Sequence, residues 1–266
     1  MHRLLIAVAL LPAAAPAQEP KGRLTATGLS GELKAGEERD FVVAAGVKMR
    51  FCWIPAGEAK LGSPAGEDKR EVNEIRHTLE TPGFWLGKYE VSQAEWEALT
   101  GKAPSRFPGA GLPAESVSWD DAQALVKKCK VTGLKVRLPT EDEWEYACRG
   151  GTGNEKPFYW GAEANGDQDN VDGSFPYGTT IRGQNVGQTM DVGAYAKTAP
   201  HPWGLCDMHG NVREWCENLF VRAGTDRAAR GGSWHLPARY SRAAYRTRLE
   251  QTATANDLGV RLALIP

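Results

Sequence analysis

The chain has 266 residues, a formal net charge of −1, and 41% hydrophobic and 24% charged residues. That is enough apolar material for one large packed domain or two small ones, which excludes wholesale disorder. No basic excess marks a nucleic-acid partner, and no acidic block marks a solvating tail.

The first 17 residues read as an export signal. Arg3 supplies the positive start, Leu4 to Leu11 a short apolar run, and Ala15-Pro16-Ala17 a cleavage site. The run is too short to span a bilayer, and no other stretch is apolar enough to be a transmembrane segment. A periplasmic or secreted protein is therefore expected. Residues 18–40 are polar and read as a lead-in, with one domain over 41–266. The five cysteines are Cys52, Cys129, Cys148, Cys206 and Cys216. An odd number leaves at least one unpaired or pairing between chains. Export permits disulfides, but the spacing assigns none.

Phe41–Ala45 and Met49–Ile54 have the composition of strands around a glycine turn. Glu67–Arg76 is dense in charge and is expected to be a solvated loop. Three helix starts have a mechanism. Ser92, Ser118 and Thr140 each place a hydroxyl at an N-cap, with Glu95, Asp121 and Glu143 three residues on. The second, with Asp where Glu is usual, is the weaker box. Helices are expected over 92–100, 119–130 and 141–148, with Trp96 and Leu99 on one face of the first and Ala122, Leu125 and Val126 on one face of the second. Regular signals then fade. Residues 151–200 mix Gly, Asn, Asp and Thr with Phe158, Tyr159, Trp160, Phe175 and Tyr177. So long an irregular stretch is functional or held by something other than strand ladders, bound metal being one such device. Leu258–Leu264 reads as a closing strand. Nine Trp exceed the seven Tyr and seven Phe, and most are expected in the core.

Several motifs recur in one order along the chain. They include Lys88-Tyr89-Glu90-Val91-Ser92, Pro113-Ala114-Glu115-Ser116-Val117-Ser118-Trp119, and Arg137-Leu138-Pro139-Thr140-Glu141-Asp142-Glu143-Trp144-Glu145. Gly204 to Cys216, Arg230-Gly231-Gly232-Ser233-Trp234, Arg239 to Arg246 and Asn256 to Arg261 follow. Together they resemble the sulfatase-modifying-factor family, whose founding members are formylglycine-generating enzymes. The resemblance implies a compact α+β fold related to C-type lectins, with short strands, about three helices and much irregular chain.

It also implies metal. Asp207 and Glu214 by side chain, and Gly210 and Val212 by carbonyl, match a structural calcium site, and such a mixture of oxygens suits that ion. A second site would begin at Asn170 and Val171, with later ligands near Gln184 to Val186, where Gln184 replaces an acid. The family's two copper cysteines match Leu236 and Ser241 here. Thiolates suit cuprous copper, leucine offers no donor, and copper is therefore not expected. Copper held by Cys206 and Cys216 instead is the alternative, but a buried thiol or a structural disulfide is the commoner role for such residues. Arg213 stands where the family commonly has Trp.

The family's ligand groove maps to Ser233, Trp234, His235, Arg239 and Tyr240. His235 is either a general base or, as is commoner for a lone histidine, a hydrogen-bonded structural residue. Arg239, Arg242, Arg246 and Arg248 either bind an anion or satisfy acids and carbonyls within the fold, as Arg137 and Arg261 should. The expected function is an exported, non-oxidase module that binds a peptide, protein or glycan. Two alternatives remain: an oxidase converting a substrate cysteine to formylglycine with displaced metal ligands, and a structural subunit of an envelope assembly.

Overall fold

Alternating apolar residues build the first hairpin, β1 (Glu38–Ala44) and β2 (Val47–Ile54), antiparallel about Gly46. The computed structural model describes residues 32–151 and 153–266. The expected export signal lies outside the described residues. Strand β1 starts at Glu38 rather than Phe41, because Gly36 and Glu37 already exchange hydrogen bonds with the backbone of Trp53.

The hairpin continues into an antiparallel sheet through β5 (Phe84–Gly87), β11 (Ala263–Ile265) and β6 (Lys135–Arg137), in the order β1-β2-β5-β11-β6. Successive strand side chains point to opposite faces. Phe51, Trp85 and Leu264 accordingly enter one core, while Cys52, Ile54, Phe84, Leu86 and Ala263 enter another. Both faces of the sheet are covered, so β5 is buried along its whole length.

Helices α1 (Gln93–Thr100) and α2 (Trp119–Lys128) pack on the first face through Trp96, Leu99, Ala122 and Leu125. Helix α3 (Glu141–Arg149) packs on the second through Trp144, Ala147 and Cys148. All three expected capping boxes are complete. The shorter Asp121 closes its box as well, accepting from the Ser118 N–H at 3.1 Å. Helix α2 ends at Lys128, where Cys129 turns extended.

A two-stranded sheet pairs β3 (Gly57–Leu61) with β4 (His77–Thr81). A four-stranded sheet joins β7 (Arg213–Leu219), β8 (Arg227–Arg230), β9 (Thr247–Leu249) and β10 (Leu258–Gly259), in the order β10-β7-β8-β9. The single closing strand expected over Leu258–Leu264 is divided. Its start pairs parallel with β7 and its end enters the main sheet as β11, so the segment ties the two sheets together. Arg261 lies between the two pieces and is buried with its guanidinium on the carbonyls of Gly87, Lys88 and Cys206.

The charge-dense loop between β3 and β4 is not simply solvated. Glu67 and Glu74 turn inward onto the buried Arg242, which also donates to the Lys69 carbonyl at 2.8 Å. Charge density alone does not distinguish a solvated loop from one whose acids meet a partner far along the chain. Val72 and Ile75 at the same loop are exposed.

Between Gly151 and Pro200 the described residues hold no helix or extended strand, only isolated bridges such as Ala164 with Tyr177 and Asn170 with Gly210. Phe158, Ala164, Val171, Tyr177 and Ala238 form a small core of their own there. No helix among the described residues is long and apolar enough to cross a membrane.

Candidate functional site

The two motif segments that the sequence singles out, 204–216 and 230–246, lie against each other. Gly231 and Gly232 both have positive φ, and a Cβ on Gly232 would fall 2.6 Å from that of Ser241. Glycine is needed for so close a passage. Gly210 plays the same part toward Asn170, whose carbonyl oxygen would lie 2.5 Å from a Cβ there. The two expected calcium segments therefore touch, joined by Asn211 N–H to the Asn170 carbonyl at 2.8 Å and Asn170 Nδ2–H to Asn211 Oδ1 at 3.1 Å.

In the first segment Glu214 is fully buried and already engaged. Arg261 donates to both of its oxygens at 2.5–3.0 Å, and Trp144 Nε1–H donates at 2.7 Å. Asp207 Oδ2 accepts from the Gly193 N–H at 2.5 Å. Burial pushes the Asp207 carboxyl up to about 6, against the opposing pull of the Gly193 N–H and Arg261. Glu90, fully buried beside Asn211, is raised well above the ordinary range, first by burial and then by the charge of Asp207. Glu214 alone bonds the Arg261 guanidinium, while Asp207 and Glu90 feel it only through space; a divalent cation among these three acids would favour their charged forms. The fit is one of charge, with Glu214 already shared. Among the described residues no cluster of three or more His, Cys, Asp or Glu side chains has metal-site geometry.

In the second segment Asn170 and Val171 are buried, Val171 within the small core. Gln184 is exposed, and its carbonyl accepts from the Gly173 N–H. Its side chain is therefore no inward ligand.

The positions expected to match the family's copper cysteines are Leu236 and Ser241. Leu236 is half-buried, and the fully buried Ser241 donates to the Ala238 carbonyl at 2.9 Å. Among the described residues all five cysteines are free and buried. Burial pushes the thiols up, Cys52 and Cys206 to about 12 and Cys129 to about 11, with Cys216 far above its ordinary value. Thiolates are the metal ligands, so these groups are poor ones as they stand. Cys148 lies 3.5 Å from His209 Nε2, but burial lowers that imidazole to about 3 and raises the thiol, so the pair is neutral.

The five expected groove residues do not line one groove. Ser233 is fully buried and donates to Asp257 Oδ2 at 2.8 Å. Arg213, in the place of the family's Trp, grips the same carboxylate with two nitrogens at 2.9 and 2.5 Å. His235, 43% exposed, stands 3.5 Å from both Asp257 and Ser233. The serine proton points at the carboxylate rather than at the imidazole, so no nucleophile–base pair exists. Trp234 packs edge-on against Phe107 and donates to the Asn256 carbonyl.

Arg239 faces away from that cluster, its guanidinium 4.3 Å over the Tyr240 ring, and Tyr240 packs on Tyr245. It borders an open cleft of about 760 Å³ whose floor is the Phe175–Thr180 turn and whose walls carry Pro237, Asp68, Lys69 and Glu163. Phe175 is 58% exposed there, and Tyr177 OH donates to the Asp68 carbonyl at 2.7 Å. Sequence reasoning missed this cleft. Its signal lay in the aromatic residues of the irregular stretch. The nine tryptophans were no guide, since five are buried and none is fully exposed.

A profile of the sulfatase-modifying factor enzyme 1-like domain matches residues 45–265. The chain is 33% identical over 204 residues to the inactive C-alpha-formylglycine-generating enzyme 2 of Bos taurus, covering 72% of this chain and 62% of that one. It is 31% identical over 210 residues to the formylglycine-generating enzyme of Mus musculus, covering 71% and 53%. It is 27% identical over 232 residues to the chaperone protein LppX of Paenibacillus barcinonensis, covering 67% and 79%. The chain thus spans less than two thirds of the two formylglycine-type relatives. Among solved structures, the Treponema denticola variable protein 1 superposes with a TM-score of 0.68 at 24% identity, covering 86% of this chain and 99% of that one. PvdO from Pseudomonas aeruginosa gives 0.65 at 24% identity, covering 82% and 95%. These two likenesses show the fold.

Proposed function

From a chain that belongs to the sulfatase-modifying factor enzyme 1-like family yet carries Leu236 and Ser241 at the copper positions, we infer an exported, non-oxidase binding module stabilised by calcium. The observation that carries this reading is the fate of those two positions. Leucine has no donor, and the serine hydroxyl is spent on the Ala238 carbonyl with no solvent access. The five thiols are buried and protonated, which leaves no ready soft ligand to replace the lost pair.

The ligand site of this reading is the open cleft beside Pro237 and Arg239. An exposed aromatic ring, a proline, and charges of both signs on a shaped surface suit a peptide, protein or glycan segment. A relative named as an inactive formylglycine-generating enzyme and another named as a chaperone support a role without oxidation.

The deciding experiment offers purified mature protein a peptide with a Cys-x-Pro-x-Arg motif, with and without cuprous copper, beside an active control enzyme. Mass spectrometry reads conversion of cysteine to aldehyde. No conversion is expected. Copper-dependent conversion overturns the reading in favour of an oxidase with displaced ligands. The double variant Leu236→Cys/Ser241→Cys is expected to gain copper binding, because the scaffold around the two positions retains the family's close Gly-Gly passage.

A further inference from the structure

We propose that the cavity between α3, the loop joining β3 to β4 and the end of β7 is a docking site for a polypeptide partner. It takes one basic side chain of that partner, arginine or lysine, with aliphatic neighbours resting on its rim. Among the described residues it shares no lining residue with the cleft beside Arg239, and the proposal does not rest on that cleft.

The cavity holds about 260 Å³ and its walls are charged. Among the described residues four acids line it, Glu74, Glu141, Asp142 and Glu145, against two guanidiniums, Arg230 and Arg246. Three of the acids are buried and held. Arg246 donates to both oxygens of Glu141 at 2.9 and 2.6 Å, and Arg230 donates to Glu145 at 2.6 Å. Arg242, which does not line the cavity, donates to both oxygens of Glu74 at 2.7 and 2.9 Å. Asp142 is the one acid of the four that no guanidinium reaches among the described residues. Its side chain is 43% exposed, and its ion-pair partner is the equally exposed His77, 3.0 Å from Oδ1.

Asn73 also lines the cavity, and its buried Oδ1 has no hydrogen bond. A buried acceptor left unmet is costly, and an ammonium or guanidinium brings only donors. Arg230 Nε is the other buried polar atom of the lining without a hydrogen bond, but Glu141 stands 3.5 Å away and meets its charge. The open position is therefore one for a cation.

The rim is apolar. Of the six large apolar side chains exposed among the described residues, Val72, Ile75 and Val221 lie on the two segments that flank the cavity. One guanidinium ties those segments together. Arg246 donates to the Asn73 carbonyl at 3.2 Å and to the Phe220 carbonyl at 2.7 Å, and its own charge stands 4.3 Å over the Phe220 ring. Exposed aliphatics rimmed with polar groups mark an interaction surface. Volume decides what enters. The cavity is smaller than the roughly 300–1,000 Å³ of small-molecule sites, which suits a single side chain better than a free ligand. Arginine is enriched among the residues that anchor interfaces from such pockets.

The test uses full-length mature protein, with a displayed library of random peptides as the probe. Peptides carrying arginine or lysine between aliphatic residues are expected. Their binding should fall roughly tenfold or more in Asp142→Asn, which removes the charge that faces the guest, and should weaken in Ile75→Ser. It should be unchanged in Arg239→Ala. Synthetic copies with citrulline for arginine, or norleucine for lysine, should lose binding as well. Recovery of no peptide that depends on Asp142 would overturn the site, and so would an Asp142-dependent peptide that keeps its affinity without the positive charge. Peptides that depend on Arg239 instead would overturn it while supporting the cleft. Self-association of the wild type that Asp142→Asn abolishes would make the occupant a second copy of this chain and overturn the partner stated. Ile75 is exposed, so Ile75→Ser serves if Asp142→Asn does not fold.

Discussion

The helix starts at Ser92, Ser118 and Thr140 are closed by hydrogen bonds spanning three residues; the guanidiniums of Arg230, Arg242 and Arg261 reach much further. The Ser92 box closes within three residues, whereas Arg242 reaches Glu74 across 168. The helices use local caps. The C-terminal half uses buried guanidiniums, Arg230, Arg242 and Arg261, each fixed by carboxylates and carbonyls. Irregular chain exposes unpaired backbone groups, and a planar five-donor fork satisfies several carbonyls at once. The comparison teaches that the helix starts are held by their neighbours, whereas the C-terminal half adds arginines that reach remote acids and carbonyls.

Breaking the long-range contacts should therefore cost more than breaking the local ones. Arg261→Met leaves Glu214 buried without its partner and should lower stability by about 3–5 kcal/mol. Arg242→Leu should act similarly through Glu74 and free the loop between β3 and β4 for proteolysis. Urea unfolding measures both, and a loss no larger than that of a cap variant would refute the distinction.

Acid should find the same half. Burial lowers His201 from 6.5 to about 4, and its Nδ1 accepts from the Trp203 N–H. At this group the unfolded state then binds more protons than the native state between those values, so its contribution to stability falls as pH drops from 6.5 toward 4. The expected loss is on the order of 3 kcal/mol for His201, with His209, lowered to about 3, adding in the same direction. The raised carboxyls of Asp207 and Glu90 act in the opposite direction, so the test is His201→Phe, whose urea midpoint should fall less between pH 7 and pH 5 than that of the wild type; equal changes would rule this out.

Chelation should come next. If calcium joins the 170 and 207 segments, removing it at a hundredfold excess over its dissociation constant costs about 2.7 kcal/mol. Hydrogen exchange should then quicken in residues 165–212 and leave α1 unchanged. The smallest effect belongs to the caps: Ser92→Ala, Ser118→Ala and Thr140→Ala should each cost about 1 kcal/mol. A cap variant that costs as much as Arg261→Met would erase the comparison.

The three helices were legible because a capping box is written within four residues, and even the Asp121 variant closed as its chemistry requires. The first two strands were legible from their composition around a glycine turn. The loop at Glu67 was misjudged because its partner, Arg242, is remote in sequence and nothing near the loop announces it. The closing strand was misjudged because a run of apolar residues does not reveal which sheet each end will join. Of the groove residues, Arg239 borders the open cleft, whereas Ser233 is drawn inward by Asp257, again a distant partner.

The sequence by itself determined the family and the capped helices, since each is a matter of residue type at a fixed spacing. Only the tertiary structure decided which arginines are internal and where the open cleft lies. The reason is physical. A local hydrogen bond is encoded by neighbours, but the burial of a charge depends on which remote group arrives to meet it.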